Sequence, residues 1–519
     1  MTTTVIDSRL KLQLLLWYGA MSLALLLLSV FLASDFYFIS LIVAGTLWLT
    51  TIPYHAQLSL RVAMATFGSA FVVPFLGSAR PYVWEMAALL AWTGVPVLIF
   101  TRNLPADLGE TLRRNKWIFI GAALYCIVLL VTMKARGVGL RILGSSKMGG
   151  RFYFQQLICA IFPLLFAICP MKEKSFVRLF VLQCVLACTY ILSDFAFARG
   201  GPGSGYILTF LEVPGDAVNF EHQAENFGIR RFQSFSQAGQ GLIFALLAFN
   251  NLRDFIGRRS VWLIPSTLLI LGITLYSGHR IAFVSIAITV GVFAFAQKFL
   301  RPRNLVVGGV MLGMLVMFTY AFSERLPESG QRALSFLPGL HVESQVALDA
   351  NSTMVTRKEM LRLGWGLIPQ YFWIGRGFAN AAYGEDFSAY GFDKTIAWHL
   401  AIGRFYNGFI GLMVNTGVFG FLSMTIFIIG GLLLAFRIIR HVRRYGSYDR
   451  FSRIGALVAS SYVFSVIAFF FLHGDSEFAM KSFSLLTGML IMVERLFDQR
   501  LRNEEQETAV ETNGSAAIT

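Results

Sequence analysis

The chain has 519 residues, of which 56% are hydrophobic and 14% charged, with a formal net charge of +15 at neutral pH. A mean hydropathy of +0.63 excludes a soluble domain of ordinary size. The composition predicts an all-α fold, a polytopic integral membrane helix bundle, and no nucleic-acid partner.

Windows of roughly 20 mostly apolar residues, each long enough to cross a bilayer, recur from the first residues onward. Fourteen candidates lie near 13–33, 36–53, 58–78, 82–101, 116–133, 152–170, 175–197, 238–250, 261–277, 280–297, 304–322, 409–436, 454–472 and 479–494. About 12–14 transmembrane helices are therefore expected. The stretch "FLASDFYFISL" after the first window offers a conceivable cleavage site, but the second window follows at once, and a retained span is the expectation. Cys126, Cys159, Cys169, Cys184 and Cys188 all fall inside predicted spans. They read as small core residues, neither disulfides nor metal ligands.

Short connections concentrate Lys and Arg, as in "RIIRHVRRYGSYDRFSR". The positive-inside rule places these connections, and both termini, in the cytoplasm. Four parts follow: an N-terminal bundle over 1–322, a large periplasmic loop with short helices over 323–408, C-terminal spans over 409–497, and a disordered cytoplasmic tail over 498–519.

The long outer connections break the charge rule. The loop at 198–237 carries Arg230 and Arg231, and the loop at 323–408 carries Arg332, Arg357, Arg376 and Arg404 among others. Taken singly, such cations read as solvated charges or partners of lipid headgroups. Arg280 differs, because "YSGHRIAFVSIAITV" sets it against a span with no acidic neighbour. An ionisable group at that depth needs a partner, and the guanidinium fork suits phosphate oxygens. A bound phosphate or diphosphate would supply the charge that the neighbouring sequence lacks.

Aromatics cluster in the large loop, including Tyr371, Trp373, Tyr390, Trp398 and Tyr406. They fit either a sugar-stacking surface or a bilayer-interface belt. Gly375, Gly377 and Gly384 in "GRGFANAAYG" fit turns first and phosphate approach second.

Three patterns, in order, resemble the O-antigen ligase and O-antigen polymerase family of bacterial membrane glycosyltransferases. They are "RRFQSFSQAGQGLIFALLAF"; "YSGHRIAFVSIAI"; and "RKEMLRLGWGLIPQYFWIGRGFANAAYG" joined to "YNGFIGLMVNTGVFGF", with its Asn-x9-Gly-x-x-Gly spacing. The resemblance spans about 225–425 in detail. It implies a metal-independent enzyme with no cofactor, whose donor is a polyprenyl-diphosphate-linked glycan. It also implies residence in the inner (cytoplasmic) membrane among lipids, with chain-length regulators and flippases as possible assembly partners. Arg231, Arg280 and Arg357 match family arginines, with Arg230 and Arg376 beside them; their task would be diphosphate binding and stabilisation of the leaving charge.

The sequence departs from the ligase pattern at Tyr406, where a histidine would precede Asn407. His399, seven residues earlier, lies on the same face if the segment is helical, and imidazole suits a general base. Glu385, Asp386, Asp393, Asp475 and Glu477 compete for that role. Tyr406, Asn407, Trp398 and Asp386 are candidate glycan contacts. The departure favours a polymerase joining repeat units over a ligase transferring the glycan to lipid A-core. A flippase or transporter, and a scaffold or sensor, are the other classes weighed.

The topology has a direct test. A cysteine at Ser388 should react with an impermeant maleimide in intact cells, and one at Ser447 should not; the reverse pattern overturns the assignment.

Overall fold

The computed structural model describes residues 54–74, 80–137, 149–212, 232–337, 339–378, 396–397, 399–400, 403–446 and 449–516. The first two expected spans lie outside them. Helices α1 (54–66), α2 (Val83–Phe100), α3 (Leu108–Arg114), α4 (Lys116–Arg136), α5 (Gly149–Ile168), α6 (Glu173–Leu186), α7 (Thr189–Arg199) and α8 (Pro202–Phe210) come first. Next are α9 (Gln233–Phe249), α10 (Ser260–Tyr276), α11 (Arg280–Ala296), α12 (Pro302–Phe322), α13 (Glu328–Leu334) and α14 (Ser344–Tyr371). The chain closes with α15 (Gly408–Tyr445), α16 (Arg450–Ile467) and α17 (Ser476–Ala516). The molecule is an all-α bundle. Among the described residues, five stretches are long and apolar enough to cross a membrane: α2, α4, the pair α6–α7, α15, and α16 with its extension to Leu472.

Helix α15 is the axis of the bundle. It packs antiparallel to α4, where small residues let the backbones meet: a Cβ added at Gly121 would lie 2.5 Å from the Phe427 amide nitrogen. Between helices in lipid, such close approach replaces the hydrophobic drive that operates in water. Helix α16 returns along α15 and places the Tyr462 hydroxyl on the Ile428 carbonyl at 3.1 Å. Helix α17 then runs beside α5, tied by a hydrogen bond of 2.6 Å from Ser484 to the Cys159 carbonyl. These directions put the C-terminal ends of α4, α10 and α16 and the N-terminal ends of α5, α11, α15 and α17 at one face of the bundle, together with α13 and α14. We call this the loop face.

Three expectations are corrected. Among its described residues, the span expected at 58–78 is helical only through Thr66; beyond Gly68 the chain extends, and Phe71 and Val72 bridge to Leu211 and Tyr82. The loop at 323–408 holds more than short helices, since α14 alone has 28 residues. The tail expected to be disordered from 498 is helical through Ala516. Its first turns are held by ion pairs: Arg500 reaches Glu173 at 2.7 Å and Asp449 at 2.8 Å, and Arg502 reaches Glu110 at 3.0 Å.

Helix α15 breaks once, at Gly417, whose φ of 74° and ψ of −175° are non-helical. An L-residue with a side chain is strained at that φ. The break leaves Val418 N–H and the Val414 and Asn415 carbonyls without helical partners, and residues 372–377 take their place. Val418 N–H donates to Phe372 O at 2.8 Å, Arg376 N–H to Val414 O at 2.8 Å, and Gly377 N–H to Asn415 O at 3.0 Å. The approach is so close that a Cβ on Gly375 would sit 2.2 Å from the Asn415 carbonyl carbon. The glycines of "GRGF" thus serve backbone docking onto a helix.

Gly375→Ala should therefore lower the thermal unfolding midpoint of the detergent-purified protein, at a cost of about 1–3 kcal/mol typical of overpacking. Gly366→Ala, where nothing lies within 4 Å of an added Cβ, should leave the midpoint unchanged or slightly raised. Equal midpoints for the two variants would remove the docking from the account of stability.

Candidate functional site

At the loop face the turn between α10 and α11 is built by "SGHR". Ser277 Oγ donates to Thr274 O at 2.6 Å and accepts from His279 N–H at 3.2 Å, and Gly278 takes a φ of 73°. His279 is the N-cap residue of α11, and Arg280 is its first residue. The turn is locked from outside by Arg332 of α13. Its guanidinium donates to Gly278 O at 2.7 Å and forms an ion pair with Asp349 of α14, both side chains being under a tenth exposed.

Arg280 does not lack a partner, contrary to the expectation from its neighbours in sequence. Its guanidinium donates to Ser335 Oγ at 2.8 Å and Arg332 O at 3.4 Å. Neutral oxygens at the C-terminal end of α13 thus occupy part of the fork, and Arg280 braces α13 against the α11 turn. Arg376 is likewise engaged, donating through Nε to Asn415 Oδ1 at 3.2 Å while Asn415 Nδ2 reaches Gly403 O at 3.4 Å.

A second group of expected residues is brought together. The chain after Leu400 turns back through Gly403 (φ 74°) and Tyr406 (φ 56°), with Arg404 N–H on His399 O at 2.9 Å. A turn, in place of the continuous helix expected from the spacing, brings the Tyr406 hydroxyl within 2.7 Å of His399 Nε2. A left-handed φ at tyrosine is costly, and such strain gathers where geometry is over-determined. The Arg357 guanidinium of α14 lies over the Tyr406 ring, 5.2 Å from its centroid. Asn407 caps α15 by accepting from Ile410 N–H at 3.2 Å, and its amide donates to Phe470 O at 3.1 Å. That carbonyl belongs to the π-helical turn Ala468–Leu472 that ends α16.

Sequence reasoning missed His473 and passed over His279 and Arg404. The His473 ring lies 5.2 Å from that of Tyr406, and its Nε2 is 3.9 Å from Asp475 Oδ2. Asp475, one of the weighed acids, also meets Arg404 Nε at 3.3 Å. Burial pushes the His473 pKa below its ordinary value; Asp475 opposes this, while Arg357, Arg404 and His279 depress it further. Four segments remote in sequence therefore share one electrostatic neighbourhood. "HGD" carried a usable signal, since the spans already placed it at the same end of the bundle as the large loop.

Arg230, Arg231, Glu385, Asp386, Asp393 and Trp398 lie outside the described residues, as does the Glu477 side chain. Among the described residues, Arg357 Nε, His473 Nδ1 and Asp475 Oδ1 are buried without a hydrogen bond. Buried polar atoms are ordinarily satisfied, so this arrangement suits a polar ligand. Cationic groups stand ready for an anion, and imidazoles beside them can accept a proton.

A membrane helix bundle with an Arg/His/Tyr cluster beneath a long inter-span segment is the class of protein defined here. Residues 265–425 match the O-antigen ligase family model. That interval holds Arg280, Arg332, Asp349, Arg357, His399, Tyr406, Asn407 and the Gly417 break. This match, over about a third of the chain, supports an O-antigen ligase/polymerase type of family. No curated protein matches the chain.

Arg404→Gln removes a cation near His473 and frees the Asp475 carboxylate, and both changes favour the imidazolium. The His473 ring of labelled protein, followed by NMR, should titrate below about 6.5 in the parent and at higher pH in the variant. An unchanged titration would separate Arg404 from His473.

Proposed function

We propose that this chain is a polymerase-type glycosyltransferase that joins polyprenyl-diphosphate-linked oligosaccharide repeat units at the outer face of the inner membrane, in surface or exopolysaccharide synthesis. The observation that carries the reading is the convergence of Arg357, Arg404, His279, His399, Tyr406, His473 and Asp475 on one face. Tyr406, standing where the ligase pattern has histidine, favours the polymerase. In this reading the loop face is periplasmic and both termini are cytoplasmic.

The reaction forms a bond from an acceptor hydroxyl oxygen to the anomeric carbon of the donor and breaks the bond from that carbon to the diphosphate. The hydroxyl proton goes to His399, directly or through the Tyr406 hydroxyl that already bonds its Nε2. Negative charge develops on the departing diphosphate, and Arg357 meets it, with Arg230 and Arg231 assigned to the same task. Oriented cations in a site of low dielectric perform this work with no reorganisation at the moment of reaction. Arg280 contributes positive potential and fixes the His279 turn, and Arg376 holds the docked segment. Asn407, Trp398 and Asp386 are assigned to the glycan. In this reading the cations do the work without a metal.

His399→Gln, purified and assayed with lipid-linked repeat units in chelator-containing buffer, should lose about 100-fold to 10,000-fold in rate while binding donor normally. Arg357→Lys should lose donor binding, because lysine keeps the charge without the fork. Parental turnover by His399→Gln would exclude it as the base and move the assignment to His473 or Asp475.

A further inference from the structure

The face of the bundle opposite the site carries a cavity of about 760 Å³ wedged between the start of α4, the end of α11 and the second half of α15. Four arginines line it: Arg114, Arg437, Arg440 and Arg443. Their charge is only partly met. Glu494 pairs with Arg114 at 3.2 Å and with Arg437 at 2.9 Å, and Asp498 pairs with Arg114 as well. Arg440 and Arg443 have no carboxylate partner among the described residues. Arg443 instead lies over the Phe295 ring, 3.9 Å from its centroid, and donates to the Phe295 carbonyl at 3.2 Å.

The rest of the wall is apolar and open. Trp117, Phe295, Leu433 and Phe436 line the same cavity and are each about half exposed, at 51%, 48%, 52% and 49%. Their order along α15 matters. Leu433 and Phe436 precede Arg440 and Arg443, and at about 1.5 Å rise per residue the guanidinium level lies about 10 Å from the apolar level. Exposed aromatic and aliphatic groups on spanning helices face hydrocarbon, while arginines near helix ends sit at the headgroup level. A ligand satisfying both levels is an amphiphile with an anionic head and acyl chains.

We infer that this cavity binds an anionic phospholipid, its phosphate between Arg440 and Arg443 and its chains along Phe295, Leu433 and Phe436. Charge selects the head, since a zwitterionic lipid carries an ammonium that these cations repel. The site is separate from the glycan chemistry and requires no assignment of sidedness. Arginine near a membrane surface contributes about 1 kcal/mol per residue toward an anionic lipid, or about fivefold in affinity each and about 25-fold for the pair.

The test titrates full-length detergent-purified protein with phosphatidylglycerol, with phosphatidylcholine of the same chains, and with inorganic diphosphate, reading occupancy by native mass spectrometry. The parent should bind phosphatidylglycerol at least about tenfold more tightly than phosphatidylcholine. The Arg440→Gln/Arg443→Gln double variant should lose that preference, and Arg440→Gln alone should lose about fivefold. Arg444→Gln, a neighbour outside the cavity lining, should retain it. Equal binding of the two lipids by the parent, or an unchanged preference in the double variant, overturns the proposal. Binding of diphosphate that displaces phosphatidylglycerol would assign the arginines to a soluble phosphate compound and overturns it equally. Arg440→Gln, whose side chain is exposed, keeps the outcome readable should the double variant fail to fold.

Discussion

The interrupted hydrogen-bond ladder of α15 is the constraint on which the loop face depends. A helix in lipid must satisfy every backbone group internally, or from neighbouring protein. Gly417 breaks the ladder, and the segment Phe372–Gly377 completes it with three backbone hydrogen bonds. One break thereby fixes two things: the end of α14, which carries Arg357, and the start of α15, where Asn407 and Tyr406 lie. The Asn-x9-Gly spacing is the distance from the cap of α15 to this break. Arg136 of α4 adds a further tie, donating to Gly375 O at 2.9 Å.

The Arg332–Asp349 pair plays the complementary part on the other side of the site. Both side chains are buried, and loss of one partner would strand a charge at a cost of about 3–5 kcal/mol. Because Arg332 also holds the Gly278 carbonyl, the pair couples α13, α14 and the α11 turn into one unit. His279 is placed by that unit, and Arg280 grips the same α13 from below. The geometry of this face therefore rests on loop helices pinned by charge, while the helices of the bundle are held by close backbone contact.

Electrostatically the two faces of the bundle differ. At the opposite face, carboxylates of α17 and the short connections pair with Arg114, Arg437, Arg495, Arg500 and Arg502, and the helical tail is part of that pairing. At the loop face, Arg357 lies over the Tyr406 ring, and the His473 imidazole on the same ring is shifted toward its neutral form by burial and nearby cations.

The sequence by itself determined the membrane class and the positions of most of the apolar helices. These are properties of local composition: hydropathy is additive along a window. Only the tertiary structure decided what each arginine touches. Arg280 was read as awaiting an anion because its neighbours in the chain are apolar, yet Ser335 lies 55 positions away in sequence and 2.8 Å away in space. The same blindness hid His473 and the Asp349 partner of Arg332, and made a helix pinned by Arg500 and Arg502 read as a loose polar tail. A charge is satisfied by whatever the fold brings within a few ångströms, and that information is absent from any single stretch of chain.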